Sequence, residues 1–273
     1  MNYIAFDFTT STAGQSEQLV ALLSELNFNG FEESDNHLKA FIAEEIFNEE
    51  EWAAVLQLFP LLPYTKSIVE NINWNQQWEN SFEPVLVNDF VGIRAGFHQP
   101  ITNVQHEIII TPKMSFGTGH HATTHMMVEQ MQGIDFAGTN VLDFGTGTGI
   151  LAILAEKLGA TKVFAIDNDE WSITNAKENI QLNNCTQIII EQHDAIPETN
   201  KYDVILANIN LNVITANLAA IKLVANADAK ILLSGFLKDN EQELLESIAL
   251  NGFNYISTIQ KGQWIAIQII NKQ

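Results

Sequence analysis

The carboxyl-terminal part of the chain alternates between two rhythms. Short apolar runs end near Asp143, Asp167, Asp194, Asn208 and Gly235. Between and after them, over about 149–159, 170–182, 211–225 and 239–250, apolar residues recur every three to four positions. The first rhythm is that of strands buried on both faces, the second that of amphipathic helices. Their alternation predicts an α/β domain built on a parallel sheet. Tyr255 to Gln260 and Trp264 to Ile270, parted by Lys261, Gly262 and Gln263, predict a terminal antiparallel hairpin. Upstream, Val85–Val87, Val91–Arg94 and Glu107–Thr111 read as short strands, followed by a helix from about Ala122 to Gln132.

The first 70 residues follow another order. Tyr3–Phe8 reads as a strand, and Ser16 reads as the cap of a helix through about Leu26. Asn29-Gly30 breaks that helix, and Phe31–Ser34 with His37–Ile42 predicts a hairpin about Asp35-Asn36. Asn48-Glu49-Glu50-Glu51 opens a second helix through Phe59, because acids favour a helix N-terminus. Pro60 and Pro63 end it, and Tyr64–Val69 forms a last strand. The order β-α-β-β-α-β is that of a small α+β, ferredoxin-like module. Residues 71–82 are polar, with Trp74, Trp78 and Phe82 at four-residue spacing, and read as a linker helix packed by its aromatic face. The expected domains are therefore 1–70 and 83–273, joined by that helix.

Charge narrows the possible partners. The net charge is −20, with 33 acids against 13 bases. A general nucleic-acid binder needs a basic face, so that class is disfavoured. Residues 1–65 hold eleven acids, from Asp7 to Glu51, and one base, Lys39. Such a module is either a solvated surface or a docking face for a cationic protein. No apolar run of about 18 residues exists, which argues against a membrane span. The N-terminus lacks the basic region of a signal peptide, and the single Cys185 excludes an internal disulfide framework. A cytoplasmic protein is expected.

The candidate chemistry lies at the predicted strand ends. Gly145, Gly147 and Gly149 follow the run ending Leu142-Asp143-Phe144. A dinucleotide site would need glycine at position 150, where Ile150 stands. The G-x-G-x-G form lets backbone approach a ligand without a pyrophosphate, such as S-adenosylmethionine. Asp167 at the next strand end suits that ligand's ribose diol, and Asp194 suits its adenine amine. Asn208, where the next strand runs out, can accept from a nucleophilic amine or cap a helix; Asn210 suits the cap better. The glycine-rich stretch Met114 to Thr124, with Phe116, Gly117, Thr118 and Gly119, can close over a ligand. His121 and His125 stand four apart, yet no acid or cysteine at supporting spacing makes a metal site of them. A nucleophile elbow G-x-S-x-G is absent from the sequence. The parallel sheet and terminal hairpin fit a seven-stranded Rossmann-like methyltransferase better than a dehydrogenase.

At these residues the sequence resembles the ribosomal protein L11 methyltransferase family. The likeness runs through the N-terminal module, Asn73 to Trp78, Met114 to Thr124, Leu142 to Ile153, Ile166 to Asp169, Ala207 to Ile209 and Leu233 to Phe236. The chain departs from the usual pattern at Lys113, His120, Ala122, Thr146, Thr148 and Asn210. The resemblance implies a methyltransferase dependent on S-adenosylmethionine, acting on lysine and N-terminal amines of ribosomal protein L11. It implies cofactor contacts at Thr124, Gly145, Asp167 and Asn208, and recognition of the protein substrate by the N-terminal module. A monomer that contacts neither nucleic acid nor membrane is expected. The residues leave open a same-fold enzyme with another substrate, or a cofactor-binding protein without turnover.

Overall fold

The computed structural model describes residues 2–10, 13–28, 30–34, 37–69, 82–113 and 117–272. The chain divides into two compact units, residues 1–81 and 82–273. The expected linker helix falls on residues that lie outside those described, apart from Phe82, which is buried in the core of the second unit.

The first unit is a four-stranded antiparallel sheet in the order β2-β3-β1-β4, formed by β1 (Tyr3–Thr9), β2 (Gly30–Ser34), β3 (His37–Ala43) and β4 (Tyr64–Val69). Two helices, α1 (Ala13–Glu25) and α2 (Glu49–Leu58), complete the ferredoxin-like order. Alternate residues of β1, namely Ile4, Phe6 and Phe8, enter one core with Leu19 and Leu23 of α1 and Trp52 and Val55 of α2. The period of two along the strand and of about 3.6 along each helix makes this shared face. Trp52 stands over Phe6 with ring centroids 4.1 Å apart. Asn48 caps α2 as expected, its side-chain oxygen accepting from Glu50 N–H at 2.9 Å. Ser16 does not cap α1. The helix has already begun at Ala13, and the Ser16 hydroxyl donates to Thr10 Oγ1 at 3.0 Å. A buried serine near a helix start finds a tertiary partner instead of its own helix's amides.

The second unit holds a seven-stranded sheet in the order β10-β9-β8-β11-β12-β14-β13. Its strands are β8 (Asn140–Phe144), β9 (Lys162–Asp167), β10 (Ile188–Gln192), β11 (Tyr202–Asn208), β12 (Ala225–Leu237), β13 (Asn254–Lys261) and β14 (Trp264–Ile270). β8 to β12 are parallel, and β14 runs antiparallel to both β12 and β13. The expected terminal hairpin therefore inserts its second strand into the sheet. Helices α3 (Ala122–Met131), α4 (Ile150–Lys157) and α5 (Glu170–Leu182) cover one face, packing on Val141, Val163, Ala165, Val204 and Leu206. Helices α6 (Leu211–Val224) and α7 (Glu241–Leu250) cover the other, on Leu142, Phe144, Ile166, Ile205 and Ala207. Both sets of alternate residues are apolar because each central strand is buried on both sides. A small sheet in the order β5-β6-β7, from Val85–Val87, Val91–Ala95 and His106–Ile110, joins the α3–α5 side. β10 ends at Gln192, two residues short of the expected Asp194, because the last amide to turn back toward β9 is His193 N–H, on Asp167 O at 2.9 Å.

The strand ends around β11 are crowded. Gly235 has φ of +103°, and a Cβ there would stand 2.2 Å from Ile209 O. It marks a register shift in the pairing of β12 with β14. Gly235→Ala is therefore strained in backbone and blocked in space, and should cost roughly 2–3 kcal/mol. Urea denaturation followed by circular dichroism measures it; a loss under about 0.5 kcal/mol, the ordinary surface range, would contradict the crowding.

Candidate active site

In an open parallel sheet, ligands bind at the carboxyl ends of strands where the strand order reverses. That point lies here between β8 and β11. β8 runs out into Gly145 and β11 ends at Asn208. Gly145 has φ of +75°, and a Cβ on it would stand 2.1 Å from Ile209 Cγ2. Only glycine lets the two strand ends approach so closely.

The glycine loop is held by acids on both sides. Asp143 is wholly buried; its Oδ2 accepts from Thr146 Oγ1 at 2.6 Å and from Ala152 N–H at 3.2 Å. One carboxylate thus ties the loop to the first turn of α4. Burial pushes the Asp143 carboxyl up to about 7, partly offset by those two donors and reinforced by nearby Asp167. Asp167 Oδ2 accepts from Gly147 N–H at 2.9 Å, and its Oδ1 from Asp169 N–H at 3.0 Å. A carboxylate offers about four lone-pair positions, so Asp167 keeps capacity for a diol. Gly145, Gly147 and Asp167 are thereby brought into one cluster.

Across the switch point, Asn208 is buried and donates from Nδ2 to Thr124 Oγ1 at 3.2 Å. Its Oδ1 is buried without a hydrogen-bond partner. Asn210, not Asn208, caps α6, its side chain accepting from Val213 N–H at 3.1 Å. The loop leading to Thr124 meets the glycine loop at Gly117, whose carbonyl accepts from Thr148 Oγ1 at 2.7 Å. Thr118 Oγ1 lies 3.2 Å from His120 Nδ1, and buried Gly119 packs against Ile93. Met114 and Phe116 lie outside the described residues. Asp194 is exposed, beyond the end of β10. His121 caps α3, its ring accepting from Thr123 N–H at 3.4 Å, and His125 sits in the first turn. Among the described residues, no group of three His, Cys, Asp or Glu side chains stands together as a metal site.

One device was not anticipated from the sequence. Asn175, Asn179 and Asn183 lie four apart along α5 and its cap, and serve the outer edge of β7 and the residue beyond it. Asn183 exchanges two hydrogen bonds with Ile109, at 3.0 and 2.6 Å. Thr111 N–H donates to Asn179 Oδ1 at 2.8 Å, and Thr111 O accepts from Asn175 Nδ2 at 3.2 Å. Carboxamides thus replace a neighbouring strand. Asn179 also donates from Nδ2 to Thr148 O at 2.8 Å, joining β7 to the glycine loop. The signal was present: asparagine is a weak helix former, and three at helical spacing need a reason.

The reversed last strand and the acid-flanked glycine loop separate this protein from the dehydrogenases and define an S-adenosylmethionine-dependent methyltransferase. The profile of the family described as Ribosomal protein L11 methyltransferase (PrmA) matches residues 9–272. The chain belongs to that family. It is 36% identical to the ribosomal protein L11 methyltransferase of Phocaeicola vulgatus, over 100% of both chains. It is 38% identical to that of Porphyromonas gingivalis, over 98% of this chain and 97% of the relative. Among solved structures, ribosomal protein L11 methylase from Lactobacillus delbrueckii subsp. bulgaricus superposes with a TM-score of 0.66 at 28% identity, covering 70% of this chain and 100% of that one.

Asp143 makes stability depend on pH. Unfolded, an aspartate ionises near 4, whereas here it keeps its proton to about 7. Between those values the folded chain binds more protons than the unfolded chain, so this group's contribution falls as pH rises and levels off above about 7. Asp143→Asn retains an acceptor for Thr146 and Ala152 but cannot ionise. In calorimetry without cofactor, the variant's stability relative to wild type should grow from pH 5 to 7 and then stay level. A difference that does not change with pH would remove Asp143 as the source.

Proposed function

We propose that this chain methylates lysine side-chain and N-terminal amines of ribosomal protein L11, with Asn208 orienting the amine and the acidic N-terminal unit recognising the protein. The observation that carries the reading is the Asn208 carboxamide, buried with its nitrogen on Thr124 and its oxygen unpaired. A buried acceptor left without a partner costs about 1–3 kcal/mol, so such an oxygen stands ready for a donor.

The residues present fit S-adenosylmethionine. Gly145 and Gly147 offer a backbone cradle without side chains, and Asp167 offers a carboxylate at the next strand end. These residues, with Thr124, Asn208 and, at the adenine, Asp194, would hold it; Met114, Phe116, Gly117, Thr118 and Gly119 would face the substrate. When bound, it supplies a methyl group already activated on a sulfonium. The chain's task is then positioning. A lysine amine is ordinarily protonated, with a pKa of about 10.4, and only the neutral form has a lone pair to give. The buried floor around Asn208 disfavours the ammonium by desolvation. Asn208 Oδ1 accepts one amine N–H and so aims the lone pair.

The first unit supports a cationic partner. Glu44, Glu45, Glu49, Glu50 and Glu51 are all exposed, and Glu49 alone of them has a lysine, Lys66, at 2.8 Å among the described residues. Opposite charge speeds encounter and fixes register. We place the enzyme in the cytoplasm as a monomer acting on protein rather than on nucleic acid or membrane; the charge of −20 supports this. Among the described residues, no helix is long and apolar enough to cross a membrane.

Incubation with methyl-labelled S-adenosylmethionine and purified L11 tests the proposal: label should appear on L11 lysines and its N-terminus. Cofactor binding with no transfer to L11 would overturn it. Asn208→Ala should lower turnover by roughly tenfold to a hundredfold, with the cofactor dissociation constant changed much less. Unchanged turnover would end the orienting role. Replacing Glu44, Glu45, Glu50 and Glu51 together by Gln should raise KM for L11 about fivefold and weaken its salt dependence, with kcat retained. An unaltered KM would detach the acidic surface from recognition.

A further inference from the structure

The segment from Gly117 to Thr124 is pinned at both ends to the strands that flank the switch point. At its far end, Thr124 Oγ1 accepts from Asn208 at the end of β11. At its near end, Gly117 O accepts from the Thr148 hydroxyl, in the loop after β8. Thr148 is fully buried, and its own backbone carbonyl is fixed from behind by Asn179 Nδ2 at 2.8 Å. A β-branched side chain has few χ1 choices, so fixing its backbone narrows the directions open to the hydroxyl. Gly117 meets it at close quarters: φ is +104°, and a Cβ there would stand 2.9 Å from Thr148 Oγ1. Between the pins, His120 Nε2 lies 2.9 Å from Glu83 O, and Gly119 fills the space beside Ile93.

We propose that Thr148 is a positioning residue for methyl transfer: its hydroxyl, set by Asn179, holds the Gly117–Thr124 segment in the register that turns the Asn208 carboxamide oxygen toward the amine. Thr124 is the only partner of Asn208 Nδ2 among the described hydrogen bonds, so the place of Thr124 determines which way the carboxamide faces. Releasing Gly117 lets the segment drift and Asn208 turn. Thr148 needs no contact with cofactor or amine to act in this way. The proposal rests on Asn208 as the orienting residue and adds what sets its orientation.

The test compares Thr148→Val, which keeps the shape and loses the hydroxyl, with Thr148→Ser, which keeps the hydroxyl and loses the methyl. Three quantities are read: amide hydrogen exchange of residues 117–121 without cofactor, the dissociation constant of S-adenosylhomocysteine by calorimetry, and kcat on L11. Thr148→Val should speed exchange and lower kcat by about tenfold each, the worth of one buried hydrogen bond, with the dissociation constant within about threefold. Thr148→Ser should stay close to wild type in all three. The proposal falls if Thr148→Val matches wild type in exchange and kcat, if Thr148→Ser loses as much as Thr148→Val, or if the loss is confined to the dissociation constant. Wild-type transfer to L11 is scored separately. Its absence would fail the proposed substrate, while the exchange comparison still decides whether the hydroxyl holds the segment.

Discussion

The ends of β8 and β11 and the register shift of β12 meet at Ile209, and the close approach of their backbones underlies the site. The Ile209 side chain lies where a Cβ on Gly145 would be, and its carbonyl lies where a Cβ on Gly235 would be. Ile209 N–H donates to Ser234 O at 3.0 Å, so the chain leaving β11 is held to β12 as it turns. Protein interiors are close-packed, and two missing side chains allow here what sterics would forbid. The consequence is that Gly145, after β8, and Asn208, at the end of β11, stand side by side at the switch point.

Around that point the molecule uses buried and half-buried polar groups to fix relative positions. Asp143 fastens the glycine loop to α4, Asp167 fastens Gly147 to the end of β9, and Asn179 fastens Thr148 to Thr111. Apolar contact is non-directional, whereas a hydrogen bond fixes distance and angle. A loop whose backbone must stay at set distances from its neighbours needs the second kind. The cost is visible in Asp143, a carboxyl whose ionisation is displaced by burial. It is visible also in the unpaired oxygens of Asn175 and Asn208. Of these, the Asn208 oxygen lies beside the switch point.

Much of the fold was legible in the chain. Short continuous apolar runs and helical segments of period 3.6 predicted the parallel sheet, its terminal hairpin and the ferredoxin-like order of the first unit. Errors fell at element ends. Ser16 was read as a cap because serine suits that position, but the helix starts earlier and its hydroxyl finds Thr10. Asp194 was read as a strand end, yet β10 stops at Gln192 and leaves it exposed. Caps and ends are decided by competition with tertiary partners, which local pattern does not contain.

What the sequence determined by itself was the glycine loop with its spaced acid, the asparagine at the strand end and the acidic bias of the first 65 residues. The first two are local, because the chemistry needs given residue types within one strand, turn and helix; the third is composition, which needs no fold to be read. What only tertiary structure decided was how these pieces are joined. Thr148 reaches Gly117 across 31 residues, Asn179 reaches Thr111 across 68, and Asn208 reaches Thr124 across 84. No periodicity links residues so far apart; the sheet order brings them together, and hydrogen-bond geometry then makes each contact specific.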